Sequence, residues 1–277
     1  MSTGTVRVAA VQMDVALMKA EENLAAIERA LEEAAREGAR LVVFPECAVT
    51  GYCFESLEEA LPLGESVPGA STERIGSACA GLDVHAVFGL LERVEDRLYN
   101  ACVLVGPAGL VGSYRKIHLP FLGIDRFVTA GDRPFEVHEA AGLKIGMNIC
   151  YDGSFPESSR VMAVGGADLV VLPTNWPPGA ECFAAHVINT RAMENGIYYI
   201  AADRIGEERG FAFIGGSRIC DPNGRTLDTA DHTDPAILYA EIDPERARNK
   251  RYVRIPEKHE IDRFDDRRPR WYGSIGE

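Results

Sequence analysis

The amino-acid sequence predicts an α/β protein in which helices cover two mixed β-sheets within one domain. Three observations support this fold class. A strand, a helix and a second strand follow one another near the N-terminus, the same order of elements returns in the second half, and no linker or low-complexity stretch separates the halves. The chain has 277 residues, of which 46% are hydrophobic, which is enough for one large core. We therefore predict a single domain over residues 1–277.

The first half begins with a βαβ unit. Residues 6–12 form a short apolar strand, and residues 20–37 place apolar side chains at helical spacing opposite glutamates and arginines. Gly38 ends this helix, and the apolar residues 41–44 form a second strand that ends at Pro45. A meander and a long loop follow. Their predicted ranges are 50–69 for a polar loop, 71–81 for a helix, 84–91, 98–105 and 110–114 for strands, and 121–133 for an irregular loop.

The second half repeats this order. The predicted strands are 143–150, 168–172, 197–202, 216–220 and 237–242, and the predicted helices are 156–164 and 181–195. Residues 246–277 differ, because they are rich in arginine and aspartate and carry scattered aromatic residues. Arginine and aromatic residues are enriched at protein interfaces, so we predict a C-terminal arm that packs on its own body or on a partner subunit. The alternative is a solvated, partly disordered tail.

Composition excludes several classes of function. A net charge of −13 disfavours nucleic acid and anionic membranes as partners, because both would repel the chain. Nothing approaches the roughly 18 consecutive apolar residues of a membrane span, and the N-terminal apolar run lacks the basic lead-in of a signal peptide. The seven cysteines form no Cys-x-x-Cys pair, so we expect neither a disulfide framework nor a zinc site. A reducing cytoplasm is the predicted location.

Three reactive side chains each come just after a predicted strand: Glu46, Lys116 and Cys150. A partly desolvated carboxylate is a useful general base, an ammonium can lower the pKa of a thiol and hold an oxyanion, and a cysteine at a sharp turn is a suitable nucleophile. Each residue has a plain alternative: an exposed loop glutamate, a surface lysine and a buried core cysteine.

The segments around these residues resemble the three signature segments of the nitrilase, or carbon–nitrogen hydrolase, superfamily. The resemblance covers nearly the whole chain in the expected order. It is carried by Val43-Phe44-Pro45-Glu46, Tyr114-Arg115-Lys116-Ile117-His118-Leu119 and Ile149-Cys150-Tyr151-Asp152, and it continues in Phe155-Pro156-Glu157, Gly166-Ala167-Asp168, Pro173-Thr174-Asn175-Trp176, Arg191-Ala192-Met193-Glu194-Asn195 and Gly215-Gly216-Ser217.

The resemblance implies a four-layer α-β-β-α sandwich with a Glu-Lys-Cys triad, no cofactor and no metal. Glu46 is then the general base and acid, while Lys116 and the backbone N–H of Tyr151 hold the oxyanion. Cys150 attacks the carbonyl carbon and forms a thioester that water hydrolyses. The resemblance also implies a homodimer or a higher homo-oligomer, in which helices of the two subunits meet and the C-terminal arms cross.

One feature departs from the family pattern. The family usually has a second glutamate in the loop between the lysine and the cysteine, and this loop has Asp125 instead, which either replaces that glutamate or pairs with Arg126. We expect Tyr52 and Trp176 to line the substrate pocket, although packing or a subunit contact would also fit them. Three further residues are predicted to be structural: Arg191 and Glu194 as an ion pair, and His118 through hydrogen bonding.

The predicted function is a cysteine-dependent amidase that hydrolyses a small linear carboxamide, a non-peptide carbon–nitrogen bond, to a carboxylic acid and ammonia. Tyr151-Asp152 after the cysteine resembles the amidase and carbamoylase branches, whereas nitrilases more often have Trp-Glu there. An N-carbamoyl amine or amino-acid hydrolase is the alternative, with Arg126 and Arg204 as candidate partners for a substrate carboxylate. A nitrilase is less favoured. A catalytically idle binding or regulatory protein is the alternative from another class.

Overall fold

The computed structural model describes residues 4–276. The helices are α1 (Ala20–Arg36), α2 (Leu57–Ala60), α3 (Ala70–Leu82), α4 (Pro156–Val164), α5 (Ile188–Asn195) and α6 (Pro244–Arg248). The strands are β1 (Val6–Asp14), β2 (Leu41–Val43), β3 (His85–Val94), β4 (Arg97–Gly106), β5 (Gly109–Arg115), β6 (Val137–Ala140), β7 (Leu143–Met147), β8 (Leu169–Thr174), β9 (Tyr198–Ile205), β10 (Glu207–Glu208), β11 (Phe211–Ala212), β12 (Ser217–Cys220), β13 (Thr226–Ala230), β14 (Ala236–Ile242), β15 (Arg251–Ile255) and β16 (His259–Asp262).

The main sheet consists of two halves with the same design. The first half has the strand order β14-β1-β2-β3-β4-β5, in which β1, β2 and β3 are parallel. The second half has the order β13-β12-β9-β8-β7-β6, in which β7, β8 and β9 are parallel. The pairs Met13–Arg204 and Asp14–Ile205 join β1 to β9. The predicted mixed α/β class is confirmed, but the two predicted sheets are hydrogen-bonded into one twelve-stranded sheet.

The alternation of side chains along β1 explains how both faces are covered. Ala9 and Val11 belong to a buried cluster with side chains of α1 and α3, whereas Val8 and Ala10 belong to a second cluster. That second cluster also contains Ile145 of β7 and buried residues of α4 and α5, so it connects the two sheet halves. The two halves of the sheet therefore share one buried core. The four-layer order of the sandwich stays a prediction.

Several boundaries differ from the predicted ones. Strand β7 ends at Met147, three residues before Cys150, because the chain turns into a 3-10 helix at Cys150–Ser154. The predicted helix 181–195 contains a π-helical turn, Phe183–Val187, before α5 begins. The predicted irregular loop 121–133 contains a 3-10 turn, Gly123–Arg126. Strand β13 was not predicted, since its polar residues hide the strand pattern.

The predicted C-terminal arm contains α6 and the hairpin of β15 and β16, and it contacts its own body. The Phe264 ring lies under the cations of Arg160 and Lys250, and the Tyr252 hydroxyl donates to the Pro222 carbonyl. The last residue of the predicted arm, 277, lies outside the described residues. Across residues 4–276, no helix is both long and apolar enough to cross a membrane, and no group of three His, Cys, Asp or Glu side chains could hold a metal ion. The seven cysteines are all free thiols.

Candidate active site

Three charged side chains meet in the interior of the protein. The Nζ atom of Lys116 lies 2.7 Å from Oε1 of Glu46 and 2.5 Å from Oδ2 of Asp125, and all three side chains are buried. Glu46 follows β2 and Lys116 follows β5 directly, whereas Asp125 comes from the loop after β5. The plain alternatives of an exposed glutamate and a surface lysine are therefore wrong. Asp125 pairs with Lys116 and not with Arg126.

The Glu46 turn is held against β3. The Phe44 N–H donates to the Val87 carbonyl (2.8 Å), and the Gly89 N–H donates to the Pro45 carbonyl (3.1 Å). A side chain at position 89 would not fit, since a Cβ there would lie 2.8 Å from the Cα of Glu46. This close backbone approach fixes the direction in which the Glu46 carboxylate enters the site.

Asn100 of β4 connects the charged groups. Its Nδ2 donates to Oε1 of Glu46 (2.7 Å) and to Oδ1 of Asp125 (2.9 Å), and its Oδ1 lies 3.6 Å from Sγ of Cys47. The backbone carbonyl of Asn100 accepts a hydrogen bond from the Lys116 N–H (2.8 Å). One buried residue therefore contacts both carboxylates through its side chain and the lysine backbone through its own backbone carbonyl.

Tyr52 is the fifth member of this cluster. Its hydroxyl donates to Oδ2 of Asp125 (2.7 Å). Its ring packs so closely against Gly123 that a Cβ at that position would lie 2.3 Å from the ring. The Tyr52 side chain is buried beside the charged cluster, which agrees with a position at the predicted pocket, and its hydroxyl is hydrogen-bonded to Asp125. Whether it touches substrate stays a prediction.

A buried ion pair between Glu208 and Arg204 holds the backbone at Tyr52. Glu208 accepts hydrogen bonds from the backbone N–H groups of Tyr52 (3.0 Å) and Cys53 (2.7 Å), and it lies 2.5 Å from the Arg204 guanidinium. Arg204 is fully buried and also contacts Asp14 (3.1 Å). The suggestion that Arg204 binds a substrate carboxylate is therefore wrong, because its charge is already paired inside the protein.

The turn that carries Cys150 has an unusual backbone. Cys150 is the first residue of the 3-10 turn and has a φ of +43°, in the left-handed region that non-glycine residues rarely adopt. Its neighbour Tyr151 is partly exposed and meets the Phe155 ring edge-on. Such strain is common at sites where one side chain must be presented in a fixed direction. The backbone N–H of Tyr151 as an oxyanion donor stays a prediction.

Asp152 holds this turn to the lysine segment. Its Oδ2 accepts from the Ile149 N–H (3.0 Å) and from the Tyr114 hydroxyl (2.8 Å). Its Oδ1 accepts from the His118 N–H (3.1 Å) and lies 2.7 Å from His118 Nδ1. The His118 ring stacks on Phe155 with centroids 3.7 Å apart. The predicted structural role of His118 is confirmed.

Arg191 of α5 holds the other end of the turn. Its guanidinium donates to the carbonyl groups of Gly153 (3.1 Å) and Ser154 (3.0 Å), and it pairs with Glu194 (3.0 Å). The predicted i,i+3 ion pair is confirmed. Arg191 also holds the C-terminal end of the Cys150 turn, a role that the spacing of Arg191 and Glu194 did not indicate.

The protonation states follow from burial and from the neighbouring charges. Burial raises the pKa of the Glu46 carboxyl, an effect that Lys116 opposes and Asp125 reinforces. Burial alone would lower the pKa of Lys116, but the charges of Glu46 and Asp125 outweigh it and raise that pKa well above its usual value. Burial, together with the charge of Glu46, raises the pKa of the Cys150 thiol. Lys116 lowers that pKa as expected, but not enough to make a thiolate the resting form.

The remaining predicted site residues lie around this centre. Trp176 is buried just after β8, its backbone N–H donates to Oδ1 of Asp203 (2.9 Å), and its ring meets Phe183 edge-on. Arg126 is exposed and lies over the rings of Phe121 and Phe127. Within residues 4–276 it makes no ion pair, so its charge is available at the surface beside the Asp125 turn.

Sequence reasoning missed Asn100, Glu208 and the structural role of Asp152. Each is a polar residue that becomes buried, and the only signal was a polar side chain within or beside an apolar segment. Apart from Ile149 and Arg204, the partners of their side chains lie 25 to 156 residues away in sequence. Such pairings depend on strand order and are not visible in local patterns.

A buried thiol beside a paired carboxylate and lysine, at the carboxyl edge of parallel strands, defines the class of cysteine hydrolases. The family model "Carbon-nitrogen hydrolase" matches residues 7–252 of this chain. The chain belongs to this family and is a hydrolase that acts on carbon–nitrogen bonds.

Characterised relatives agree with this assignment. A protein of Pyrococcus abyssi named nitrilase is 40% identical over 268 residues, which cover 96% of this chain and 99% of that protein. An omega-amidase of Mus musculus is 30% identical over 255 residues, which cover 86% and 89% of the two chains.

The fold is also similar to that of a solved amidase from Nesterenkonia. The two chains superpose with a TM-score of 0.81 at 23% identity, covering 99% of this chain and 97% of the other. A variant of that amidase carries the acetamide moiety of fluoroacetamide covalently on its active-site cysteine, and it superposes with the same TM-score and identity, covering 99% of each chain.

Proposed function

We propose that the protein is a cysteine-dependent amidase that converts a small carboxamide and water to a carboxylic acid and ammonia. One observation carries the proposal: the Cys150 thiol lies in the electrostatic reach of a fully buried cluster of Glu46, Lys116 and Asp125. This cluster supplies a base for the thiol and a cation for a developing oxyanion.

Acylation begins with a neutral thiol, because the pKa of Cys150 is raised. Glu46 takes the thiol proton as Sγ forms a bond to the carbonyl carbon. The carbonyl oxygen becomes an oxyanion, which the Lys116 ammonium and the Tyr151 N–H stabilise. Protonated Glu46 then gives its proton to the amide nitrogen, the carbon–nitrogen bond breaks, and ammonia leaves a thioester on Cys150.

Deacylation uses the same groups in the same order. Glu46 takes a proton from water, and the hydroxyl attacks the thioester carbon. The second oxyanion collapses, the carbon–sulfur bond breaks, and Sγ recovers the proton from Glu46. The raised pKa of Glu46 suits these transfers, since a base acts best when its pKa lies near the working pH.

Asp125 takes the place that a second glutamate has in the family pattern. Its short side chain reaches Lys116 because the 3-10 turn Gly123–Arg126 carries it inward, and Tyr52 and Asn100 fix its two oxygens. With two carboxylates around it, Lys116 stays charged and its direction is fixed. We propose that Asp125 orients Lys116 toward the oxyanion.

Amides are favoured over the other substrates. The relative named omega-amidase and the amidase fold support an amide, and Tyr151-Asp152 follows the cysteine as in amidases. The relative named nitrilase makes a nitrile the competing substrate. An N-carbamoyl amino acid would need a cation for its carboxylate, and of the two arginines considered, only Arg126 has a free charge at the surface.

The test is a substrate panel with ammonia as the readout. Short aliphatic amides, the matching nitriles and N-carbamoyl amino acids are compared at equal concentration, with the wild type and Cys150→Ala. We expect amides to be hydrolysed fastest, a Cys150 adduct one acyl group heavier by mass spectrometry, and no ammonia from the variant. An equal rate for Cys150→Ala would refute the mechanism, and no turnover of any substrate would favour the idle binding protein.

We also propose a homodimer in a reducing compartment such as the cytoplasm. A groove of about 690 Å³ runs between α4, α5 and the C-terminal arm. Val161 and Val164 of α4 are about half exposed, as is Ile275 at the end of the arm. A second copy would cover these apolar side chains. Light scattering of the wild type and of Val161→Glu tests this, since a charge in the contact would give monomers.

A further inference from the structure

The side chain of Asn100 uses all of its hydrogen-bonding groups within the charged cluster. The two hydrogens on Nδ2 point to Glu46 (2.7 Å) and Asp125 (2.9 Å), and Oδ1 faces the Cys47 thiol (3.6 Å). Asn100 is buried, so solvent does not compete for these contacts. It lies on β4, outside the three segments that carry the reacting groups.

Cys47 and the two carboxylates favour the same orientation of the amide. Burial raises the pKa of the Cys47 thiol well above its usual value, so the thiol keeps its proton and donates to Oδ1 of Asn100. Ionised carboxylates can only accept hydrogen bonds, so the NH2 group faces them. The reversed amide would place its oxygen against two carboxylates and is disfavoured.

The cluster carries one more negative charge than positive charge, since two carboxylates share one ammonium. Burial favours the neutral form of the Glu46 carboxyl group. The other titratable groups that face Glu46 are Cys47, Tyr52, Cys102, Cys150 and Asp203. All five have a raised pKa, and none of them adds a positive charge. Lys116 and the hydrogen bond from Asn100 favour the ionised form of Glu46.

We propose that Asn100 is a positioning residue that helps Lys116 to keep Glu46 ionised at neutral pH, and that Cys47 supports the orientation of its amide. This inference rests on the proposed function, in which Glu46 is the general base. It deepens that function by naming a residue, Asn100, that lowers the pKa of Glu46 and so extends activity to lower pH.

The pH dependence of kcat/KM tests the proposal. Activity requires ionised Glu46, so it falls as the pH drops through the pKa of that carboxyl group. Asn100→Leu removes a hydrogen bond that lowers this pKa, so the acidic limb should move up by about one pH unit. Asn100→Asp has nearly the same shape but adds a third carboxylate, so it should move the limb up further.

A second measurement does not depend on turnover. Alkylation of Cys150 by iodoacetamide also needs a base for the buried thiol, and its rate against pH is followed by mass spectrometry of the peptide that contains Cys150. We expect the same upward shift in both Asn100 variants. Cys182 is the exposed cysteine, and its peptide gives the internal reference.

Two kinds of control separate this role from a structural one. Asn23 is a matched buried asparagine whose side chain makes hydrogen bonds to Ala16 and Val49, so Asn23→Leu should lower the melting temperature and leave the limb in place. Cys47→Ala should shift the limb upward by less than Asn100→Leu, since the amide loses its fixed orientation. Cys47→Ser keeps a donor and should leave the limb unchanged.

The outcomes are distinct. An unchanged or lowered limb in Asn100→Asp, by both kinetics and alkylation, would overturn the inference even if Asn100→Leu does not fold. Ammonia release by Cys150→Ala would instead refute the proposed function. A wild-type enzyme that depends on Cys150 but shows no shift in the Asn100 variants would leave that function intact and remove Asn100 from it.

Discussion

The two halves of the sheet contribute to the active site in different ways. The first half supplies the charged groups Glu46, after β2, and Lys116, after β5, together with the neutral amide of Asn100 within β4. The second half supplies Cys150, the proposed nucleophile, on a strained 3-10 turn after β7 to which Asp152 and Arg191 are hydrogen-bonded. Removing a group from the first half should change protonation, whereas removing one from the second should change the direction of the thiol.

This difference has an energetic basis. The Lys116 pairs are completely buried, so the loss of Lys116 leaves two buried carboxylates without a compensating charge. The Cys150 turn is held by several hydrogen bonds of ordinary length, and the loss of one leaves the others in place. Four variants, taken from the largest expected effect to the smallest, test this contrast between the charged cluster and the Cys150 turn.

Lys116→Met should have the largest effect. It removes the cation that we propose stabilises the oxyanion, and it leaves Glu46 and Asp125 facing each other, so we expect kcat/KM to fall by at least ~1000-fold. We also expect a loss of about 3–5 kcal/mol in the free energy of unfolding near neutral pH. Urea denaturation and ammonia release measure the two effects. Normal formation of the thioester would contradict the oxyanion role of Lys116.

Asp152→Asn should have the next largest effect, and of a different kind. Each carboxylate oxygen of Asp152 accepts hydrogen bonds from one pair of donors. An asparagine has a single acceptor oxygen, so it can accept from only one of these two pairs. We expect kcat to fall roughly 10- to 100-fold with a loss of about 1.5–3 kcal/mol in stability. The acidic limb of the pH profile should not move. A shifted limb would show that this turn also controls protonation.

Tyr52→Phe should have a moderate effect. The phenyl ring keeps its packing against Gly123, but the hydrogen bond to Asp125 is lost. One hydrogen bond to a charged group corresponds to about tenfold in kcat/KM. Steady-state kinetics with an amide measure this. A loss as large as that of Lys116→Met would mean that the hydroxyl contacts the substrate directly.

Arg126→Ala should have the smallest effect on a neutral amide, within about twofold, because this side chain is exposed and unpaired within residues 4–276. With an N-carbamoyl amino acid, the same variant tests substrate class. A KM raised at least ~10-fold for that substrate alone would indicate that Arg126 binds its carboxylate. Lys19→Ala, an exposed lysine on another surface, serves as the control.

Much of the site could be predicted from the sequence because its reacting groups follow strands. Glu46, Lys116 and Cys150 were found from apolar runs that end at a polar residue, and the structure brings them to the same edge. The pKa directions were only partly predictable. The raised pKa of Glu46 follows from burial. The raised pKa of Cys150 follows from burial first and from the nearby charge of Glu46 second, and only the packing determines how close that charge lies.

The sequence alone determined the order of most strands and helices, though not of β13, as well as the position of the thiol on a turn and the family. These features are local, since side-chain periodicity and turn residues act over a few positions. The tertiary structure decided that Asp125 pairs with Lys116, that Asn100 bridges both carboxylates, that Arg204 is buried in an ion pair, and that β1 joins the two halves. These contacts link residues that are distant in the chain, and their geometry is set by strand order and register.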